Sequence, residues 1–216
     1  MTTKERYQAV TEWFSTNMPV AETELRYDNP YQLLVAVILS AQCTDKRVNM
    51  VTPAIFRDYP TPADMAAASV EEIYEHVKSV SYPNNKSANL KKMAERLTDV
   101  YHGEVPDTME ELTTLAGVGR KTANVMMSVA FGKQAMAVDT HVHRVSARIG
   151  LTRGAKTPLE TEKQLVAGFA GDILATAHHW LILHGRYVCT ARNPKCDICG
   201  LVKVCKMAAG KKLTGH

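Results

Sequence analysis

Apolar positions recur at helical spacing along most of the chain. Tyr7, Val10 and Phe14 fall at i, i+3 and i+7, which places them on one face of a first amphipathic helix. Helical spacings of three and four residues recur at Ile73, Val77 and Val80, at Leu90, Met93, Leu97 and Val100, and at Val142, Val145 and Ile149. The pattern therefore predicts a helix-rich protein.

Residues typical of helix starts precede these runs. They are Asn29-Pro30, Thr61-Pro62, Ser69 with Glu72, Asp107 with Glu110, and Thr157 with Glu160. The apolar run Leu33–Leu39 could form a buried strand or a buried helix, because periodicity alone does not separate the two. We predict a helix, since the sequence offers no second strand to pair with it. The predicted fold class is all-α.

The charge of the chain is divided unevenly. The 216 residues carry a net charge of +4, but residues 1–111 hold 11 Lys and Arg against 17 Asp and Glu, whereas residues 112–216 hold 15 against 5. Between Leu112 and Leu159 the only acidic residue is Asp139, among seven Lys and Arg. A segment whose charges are nearly all positive predicts a polyanionic partner such as nucleic acid, and the alternative is a solvated basic face.

Four of the five cysteines lie near the end of the chain. Cys189, Cys196, Cys199 and Cys205 follow the spacing C-x6-C-x2-C-x5-C. Stable disulfides are rare inside cells, so clustered thiols favour a metal, either Zn²⁺ or an iron–sulfur cluster. Zinc ribbons usually carry two C-x2-C pairs and this run has one, which favours iron–sulfur. Cys43 stands alone, and we expect it to be a buried, inert thiol.

The segment Gly117-Val118-Gly119 can form a tight turn between two helices. Two glycines permit a backbone with positive φ and leave no side chain in the way. Backbone N–H groups at the start of the next helix favour an anion, and Arg120 and Lys121 follow immediately. The segment predicts a site that binds the phosphate backbone of a nucleic acid without base specificity, and the alternative is an ordinary helix–helix turn.

Several motifs together resemble the endonuclease III family of DNA glycosylases. Leu39–Asp45 is similar to an early DNA-wedge segment of that family, and Leu115–Asn124 is similar to its helix–hairpin–helix. Val138–Val145 is similar to its catalytic-aspartate segment. His179–Arg186, together with the cysteine run, is similar to its cluster-binding signature. The resemblance runs in order from about residue 4 to residue 206. The resemblance therefore covers essentially the whole chain.

The resemblance implies a catalytic pair, Lys121 and Asp139. The amine of Lys121 would attack C1′ of the sugar, release the base and form a Schiff base that permits β-elimination. A lysine with the reference pKa of about 10.4 must lose its proton first, and we expect Arg120 and partial burial to favour that loss. Asp139 would stabilise positive charge at the sugar and assist proton transfer, although a helix N-cap is the alternative role.

The resemblance also implies DNA contacts. Gln42 would enter the space left by the extruded base, and Tyr82 would act as a second wedge, with further contacts from His141 and Arg144. The loop Ser81-Tyr82-Pro83-Asn84-Asn85 departs from the Gly-Leu-Tyr-Asn pattern of relatives, which leaves lesion preference open. Ala116 replaces a proline common in the hairpin of relatives, and we expect phosphate binding to survive because both glycines are present.

The implied architecture has two helical lobes with a DNA groove between them, across which Lys121 and Asp139 would face each other. One lobe is a six-helix domain over residues 23–133, and the other joins 1–22 to 134–216 and holds a [4Fe–4S] cluster. The implied partner is double-stranded DNA containing damaged bases or abasic sites. The opening residues lack an apolar leader-like run, so we expect a cytoplasmic location. No apolar run is long enough to span a bilayer, so we expect no membrane contact. Binding to DNA implies association with the nucleoid, and we expect a monomer.

The implied activity is that of a bifunctional glycosylase and abasic-site lyase acting on oxidised pyrimidines. A thymine-mismatch or pyrimidine-dimer glycosylase on the same scaffold is one alternative. A non-catalytic iron–sulfur module that binds DNA is another. An adenine-mispair glycosylase is disfavoured, because those relatives lack a lysine at the position of Lys121.

Overall fold

The computed structural model describes residues 1–210, in which helices joined by loops and turns are the regular secondary structure and no strand occurs, which confirms the all-α prediction. The helices are α1 Thr3–Asn17, α2 Pro30–Ser40, α3 Asp45–Asp58, α4 Pro62–Ala67, α5 Val70–Val77, α6 Pro83–Tyr101, α7 Met109–Leu112, α8 Arg120–Val125, α9 Thr140–Ile149, α10 Pro158–Gly168, α11 Leu174–Tyr187 and α12 Lys206–Gly210. No helix in the described part of the chain combines the length and the apolar character needed to cross a bilayer.

The described chain divides into two compact units. One is Thr23–Lys133, and the other combines Met1–Glu22 with the segment that begins at Gln134. In the first unit, α6 packs against α4 and α5, while α2 contacts α3, α6 and α8. This unit contains the glycine hairpin and α8, on which Lys121 lies.

Helix α2 lies in the core of the first unit. All seven residues of Leu33–Leu39 are buried, so the helix is apolar on every side, as a central core helix must be. The side chain of Asn29 accepts a hydrogen bond from the Gln32 backbone N–H, and Pro30 occupies the first turn. The prediction of a buried helix here is confirmed.

The second unit is built around α9 and α11, which pack against each other; α10 and α12 also contact α9. Phe14 of α1 stacks on Trp180 of α11 with ring centroids 5.4 Å apart. Tyr7 meets Phe169 edge to face, and the Tyr7 hydroxyl donates to the Gln164 carbonyl. These contacts fix α1 to α10 and α11 within one hydrophobic core.

Some predicted helix boundaries were wrong. The cap of α7 is Thr108 rather than Asp107, with Glu111 rather than Glu110 as the residue whose N–H it binds. Helix α8 is α-helical only to Val125, and the chain then continues as a π-helical turn, Met126–Ala130, which the sequence did not indicate. At Thr157 the capping box is incomplete, because the Glu160 carboxylate accepts from the Lys156 N–H instead.

Candidate functional site

The glycine hairpin connects α7 to α8. Gly117 has φ +80°, and a Cβ there would lie 3.2 Å from the Asn89 Cβ and 3.3 Å from the Ile38 Cγ2. Gly119 has φ −96°, and an added Cβ would meet open space. Val118 is buried. The positive φ predicted for the hairpin is therefore confined to Gly117, whereas Gly119 leaves an open backbone surface at the start of α8.

Arg120 and Lys121 are the first two residues of α8, and both side chains are exposed. Partial burial of Lys121 was expected and is wrong, because the apolar face of α8 is formed by Ala123 and Val125 instead. Both cations therefore lie beside the open backbone of Gly119. This arrangement presents positive charge and backbone N–H groups on one exposed helix start.

Asp139 is the N-cap of α9. Its Oδ1 atom accepts hydrogen bonds from the backbone N–H groups of His141 and Val142, both at 2.8 Å. The side chain is partly exposed, and the Oδ2 atom takes no part in this cap. The carboxylate is therefore held in one orientation by the helix that it starts.

His141 and Arg144 lie on the same helix and contact each other. The Arg144 Nη2 atom is 3.1 Å from the His141 Nδ1 and also donates to the Gly185 carbonyl at 2.9 Å. The Arg144 Nε donates to the Cys189 carbonyl at 3.2 Å. Arg144 thereby joins α9 and α11 to the start of the cysteine loop, a packing role that the sequence did not indicate.

Gln42 and Tyr82 occupy neighbouring loops of the first unit. Both are exposed, and both have φ +54° although neither is glycine. The Ser81 hydroxyl donates a hydrogen bond to the Gln42 carbonyl, which links the two loops directly. Left-handed backbone at two bulky residues was not predicted from the sequence, and such strain is concentrated at functional sites.

The four clustered cysteines line one half-open cavity. Apart from these thiols, the cavity is lined mainly by apolar side chains. These include Ile149, Val188, Pro194, Leu201, Val202, Met207 and Ala208. A largely apolar lining around four thiols is an environment that suits an iron–sulfur cluster. The donor set therefore fits a [4Fe–4S] cluster.

The arrangement of the thiols can be compared with the geometry of a single-ion site. Within residues 1–210 no set of three or more Cys, His, Asp or Glu side chains converges closely enough to hold one metal ion. Tetrahedral zinc requires four sulfurs each about 2.3 Å from one point. Burial raises the pKa of the Cys199 thiol, and the thiols of Cys205, Cys189 and Cys196 raise it further. A cationic cluster would relieve this repulsion between thiolates.

Two further residues lie beside the cavity: Arg148, which the sequence did not indicate, and His184, which lies within the His179–Arg186 signature. The Arg148 guanidinium donates to the Cys189 Sγ at 3.5 Å, and to the carbonyls of Thr190 and Ala191 at 2.7 Å each. The His184 Nε2 lies 3.6 Å from the Cys199 Sγ, and burial lowers the pKa of His184 to about 4. Nothing in the sequence distinguishes Arg148 from the other basic residues of the same segment, so its contact with the cysteine loop could not be predicted.

Comparison with known proteins identifies the class to which this helical scaffold belongs. Residues 35–170 match the model of the HhH-GPD superfamily of base excision DNA repair proteins, and residues 189–205 match the iron–sulfur binding domain of endonuclease III. The first match spans the glycine hairpin and Asp139. The second begins and ends at the outermost of the four clustered cysteines.

Individual relatives define the family within that class. Endonuclease III of Bacillus subtilis is 47% identical over 87% of this chain and 86% of its own length, and that of Escherichia coli K12 is 41% identical over 88% and 90%. A trapped endonuclease III–DNA covalent intermediate superposes with a TM-score of 0.91 at 44% identity, covering 97% of this chain and 99% of that one. The chain belongs to the endonuclease III family, DNA glycosylases with abasic-site lyase activity that carry a [4Fe–4S] cluster.

Proposed function

We propose that this enzyme removes oxidised pyrimidines from double-stranded DNA and then cleaves the strand at the resulting abasic site, with Lys121 as the nucleophile. The observation that carries the proposal is the exposed Lys121, two residues after the Gly117–Gly119 hairpin and in the first turn of α8. The similar structure of a trapped covalent endonuclease III–DNA intermediate supports covalent chemistry on this scaffold.

Lys121 forms the covalent bond in this proposal. Once its ammonium group has given a proton to a base or to water, the amine attacks C1′ of the damaged nucleotide, the C1′–N bond breaks, and the base leaves with the bonding electrons and a proton. Loss of the amine proton and opening of the sugar give a Schiff base between Nζ and C1′. Removal of a C2′ proton then expels the 3′ phosphate by β-elimination, which cuts the strand.

Asp139 acts on charge and protons in this scheme. Departure of the base leaves positive charge on the sugar, and a fixed carboxylate stabilises that charge as it develops. The Oδ1 cap to His141 and Val142 orients the group, so that Oδ2 can serve the reaction. Asp139 thus combines a helix cap with a catalytic role.

DNA is held by several groups in the proposal. The open backbone at Gly119 and the guanidinium of Arg120 bind phosphate without reading bases. Gln42 and Tyr82 enter the duplex and stabilise the state in which the damaged base is extruded. We also assign contacts to His141 and Arg144, which share the helix that begins after Asp139.

The [4Fe–4S] cluster has a structural task in the proposal. Cys189, Cys196, Cys199 and Cys205 hold it and thereby fix the loop between α11 and α12, which carries Arg192, Lys195 and Lys203. Those cations can then meet phosphates in a fixed arrangement. We further propose that the enzyme works as a monomer at the nucleoid in the cytoplasm, since DNA is its substrate.

Borohydride trapping tests the nucleophile. Wild-type enzyme incubated with a dihydrouracil duplex and borohydride should give a covalent complex, because reduction makes the Schiff base permanent. Lys121→Gln should abolish that complex, while the exposed Lys92→Gln on the same unit should leave it intact. Full trapping by Lys121→Gln would overturn the assignment.

A lesion panel tests the substrate. Thymine glycol and dihydrouracil should be excised faster than uracil or thymine opposite guanine. The reverse order would favour the mismatch glycosylase. An abasic-site duplex provides the remaining arm, because an enzyme with lyase activity cuts it whereas a non-catalytic binding module leaves the strand whole.

A further inference from the structure

Lys86 is a buried lysine in the first turn of α6. Its side chain is 5% exposed, and its Nζ donates to the carbonyls of Leu39 and Ala41, both at 2.8 Å. Removing an ammonium group from water costs several kcal/mol unless strong acceptors replace the water. Burial also lowers the pKa of Lys86. A lysine in this place therefore points to a specific task for its two hydrogen bonds.

The two acceptors lie at the carboxyl end of α2. The last carbonyls of a helix lack donors from the helix itself, and this end carries partial negative charge. Lys86 supplies both the donors and the opposing charge. Ala41 is the C-cap of α2, and the next residue is Gln42, with φ +54°. Lys86 therefore fixes the backbone immediately before the exposed Gln42 side chain.

A second hydrogen bond fixes the other side of Gln42. The Ser81 hydroxyl donates to the Gln42 carbonyl, and the residue after Ser81 is Tyr82, which also has φ +54° and is 60% exposed. Left-handed backbone is disfavoured at residues other than glycine and persists where surrounding contacts enforce it. Lys86, three residues after Pro83, belongs to the helix that begins directly after Tyr82.

We propose that Lys86 and Ser81 clamp the loops of Gln42 and Tyr82 into one preformed, two-pronged wedge, which makes Lys86 a positioning residue for base extrusion. This inference rests on the proposed entry of Gln42 and Tyr82 into DNA. A wedge ordered before binding loses little conformational freedom when it enters the duplex, so more of the binding energy stabilises the extruded state. Lys86 and Ser81 act through the loops and need not touch DNA.

Paired and unpaired substrates test the clamp. Lys86→Met and Ser81→Ala should slow single-turnover excision of dihydrouracil from a fully paired duplex by about tenfold, the rate equivalent of about 1.4 kcal/mol. Both should stay within about twofold of wild type when the same lesion is flanked by mismatched bases, since extrusion is then easier. Ser81→Thr, which keeps the hydroxyl, should restore the duplex rate.

Lys91→Met is the matched control. Lys91 lies on the same helix and also donates to a backbone carbonyl, that of Ala66, but away from the wedge. It should slow excision from paired and mismatched substrates to the same extent, if at all. Equal slowing on both substrates by Lys86→Met would reduce Lys86 to a stability role and overturn the clamp.

Ser81→Ala keeps the clamp testable if Lys86→Met fails to fold. Failure of the underlying function has a different signature, because the wild type would then give no borohydride-trapped complex at all. A third outcome would contradict the clamp alone. The wild type would form the trapped complex and Gln42→Ala would slow excision from the paired duplex, which supports the wedge. Ser81→Ala would nevertheless keep the wild-type rate on that duplex, which shows that the clamp is wrong.

Discussion

The Oδ1 atom of Asp139 lies 2.8 Å from the backbone nitrogen of Val142, so the carboxylate caps the helix that it begins. A second bond, from the His141 N–H, reaches the same oxygen at 2.8 Å. Loss of a helix cap lowers the stability of the folded protein, whereas loss of the negative charge of a catalytic carboxylate lowers the rate of the reaction. The two roles of Asp139 can therefore be separated by substitution.

Asp139→Asn should keep the helix and lose the reaction. The amide oxygen of asparagine accepts the same two bonds, and Asn and Asp are about equal as N-caps, so the thermal midpoint should change little. The negative charge is removed, and we expect excision to fall by at least about a hundredfold, in the range typical of a lost acid–base group. Single-turnover excision and thermal unfolding measure the two effects.

Asp139→Ala provides the contrast for that variant. It removes the cap as well as the charge and should cost about 1 kcal/mol of stability in addition to activity. If Asp139→Asn retained wild-type excision, the residue would be a cap alone.

The glycine hairpin offers a second separation of stability from binding. Gly117→Ala should destabilise the protein by about 1 kcal/mol or more, because its backbone is left-handed and the new methyl would press on Asn89 and Ile38. Gly119→Ala meets open space and should change stability by less. Its methyl would stand where a phosphate approaches, so DNA affinity should fall several-fold.

Chemical denaturation and DNA-binding titrations at one fixed salt concentration would measure the pair. The salt concentration must be matched, since phosphate contacts make affinity strongly salt-dependent. A Gly119→Ala variant with unchanged affinity would show that DNA does not approach this backbone.

Local signals in the sequence predicted much of the fold. The caps at Asn29, Ser69 and Asp139 rely on side-chain bonds within three residues, so spacing alone reveals them. The buried run of α2 was resolved as a helix by the lack of any strand partner. The π-helical turn after Val125 was not foreseen, because it depends on packing rather than on a sequence signal.

The site was predictable where its chemistry is concentrated in one motif, and less so where it depends on tertiary contacts. The cysteine spacing indicated a cluster because all four thiols lie within 17 residues. Lys86 was missed, although it lies four residues before Leu90 and therefore on the buried face of α6. The helical spacing of the sequence therefore already placed this lysine on the buried face of the helix. Its acceptors, on α2, could be known only from the structure.

Arg148 gives a further prediction about the cysteine loop. Its guanidinium binds the Cys189 sulfur and the carbonyls of Thr190 and Ala191. Arg148→Met removes all three hydrogen bonds and leaves the two carbonyls without this donor. Each carbonyl that water does not reach then destabilises the closed loop by about 1 kcal/mol or more. The first part of the loop should therefore open more often, and iron should be lost faster.

Iron release under a chelator, followed by the visible absorbance of the cluster, measures this effect. We expect loss at least about fivefold faster than in the wild type, equivalent to about 1 kcal/mol. Arg153→Met, an exposed arginine of the same unit, serves as the control and should release iron at the wild-type rate. Arg148→Lys should be intermediate, because an ammonium group cannot reach several acceptors as the planar guanidinium does. Identical release from Arg148→Met and the wild type would mean that the cysteine ligation alone holds the loop closed.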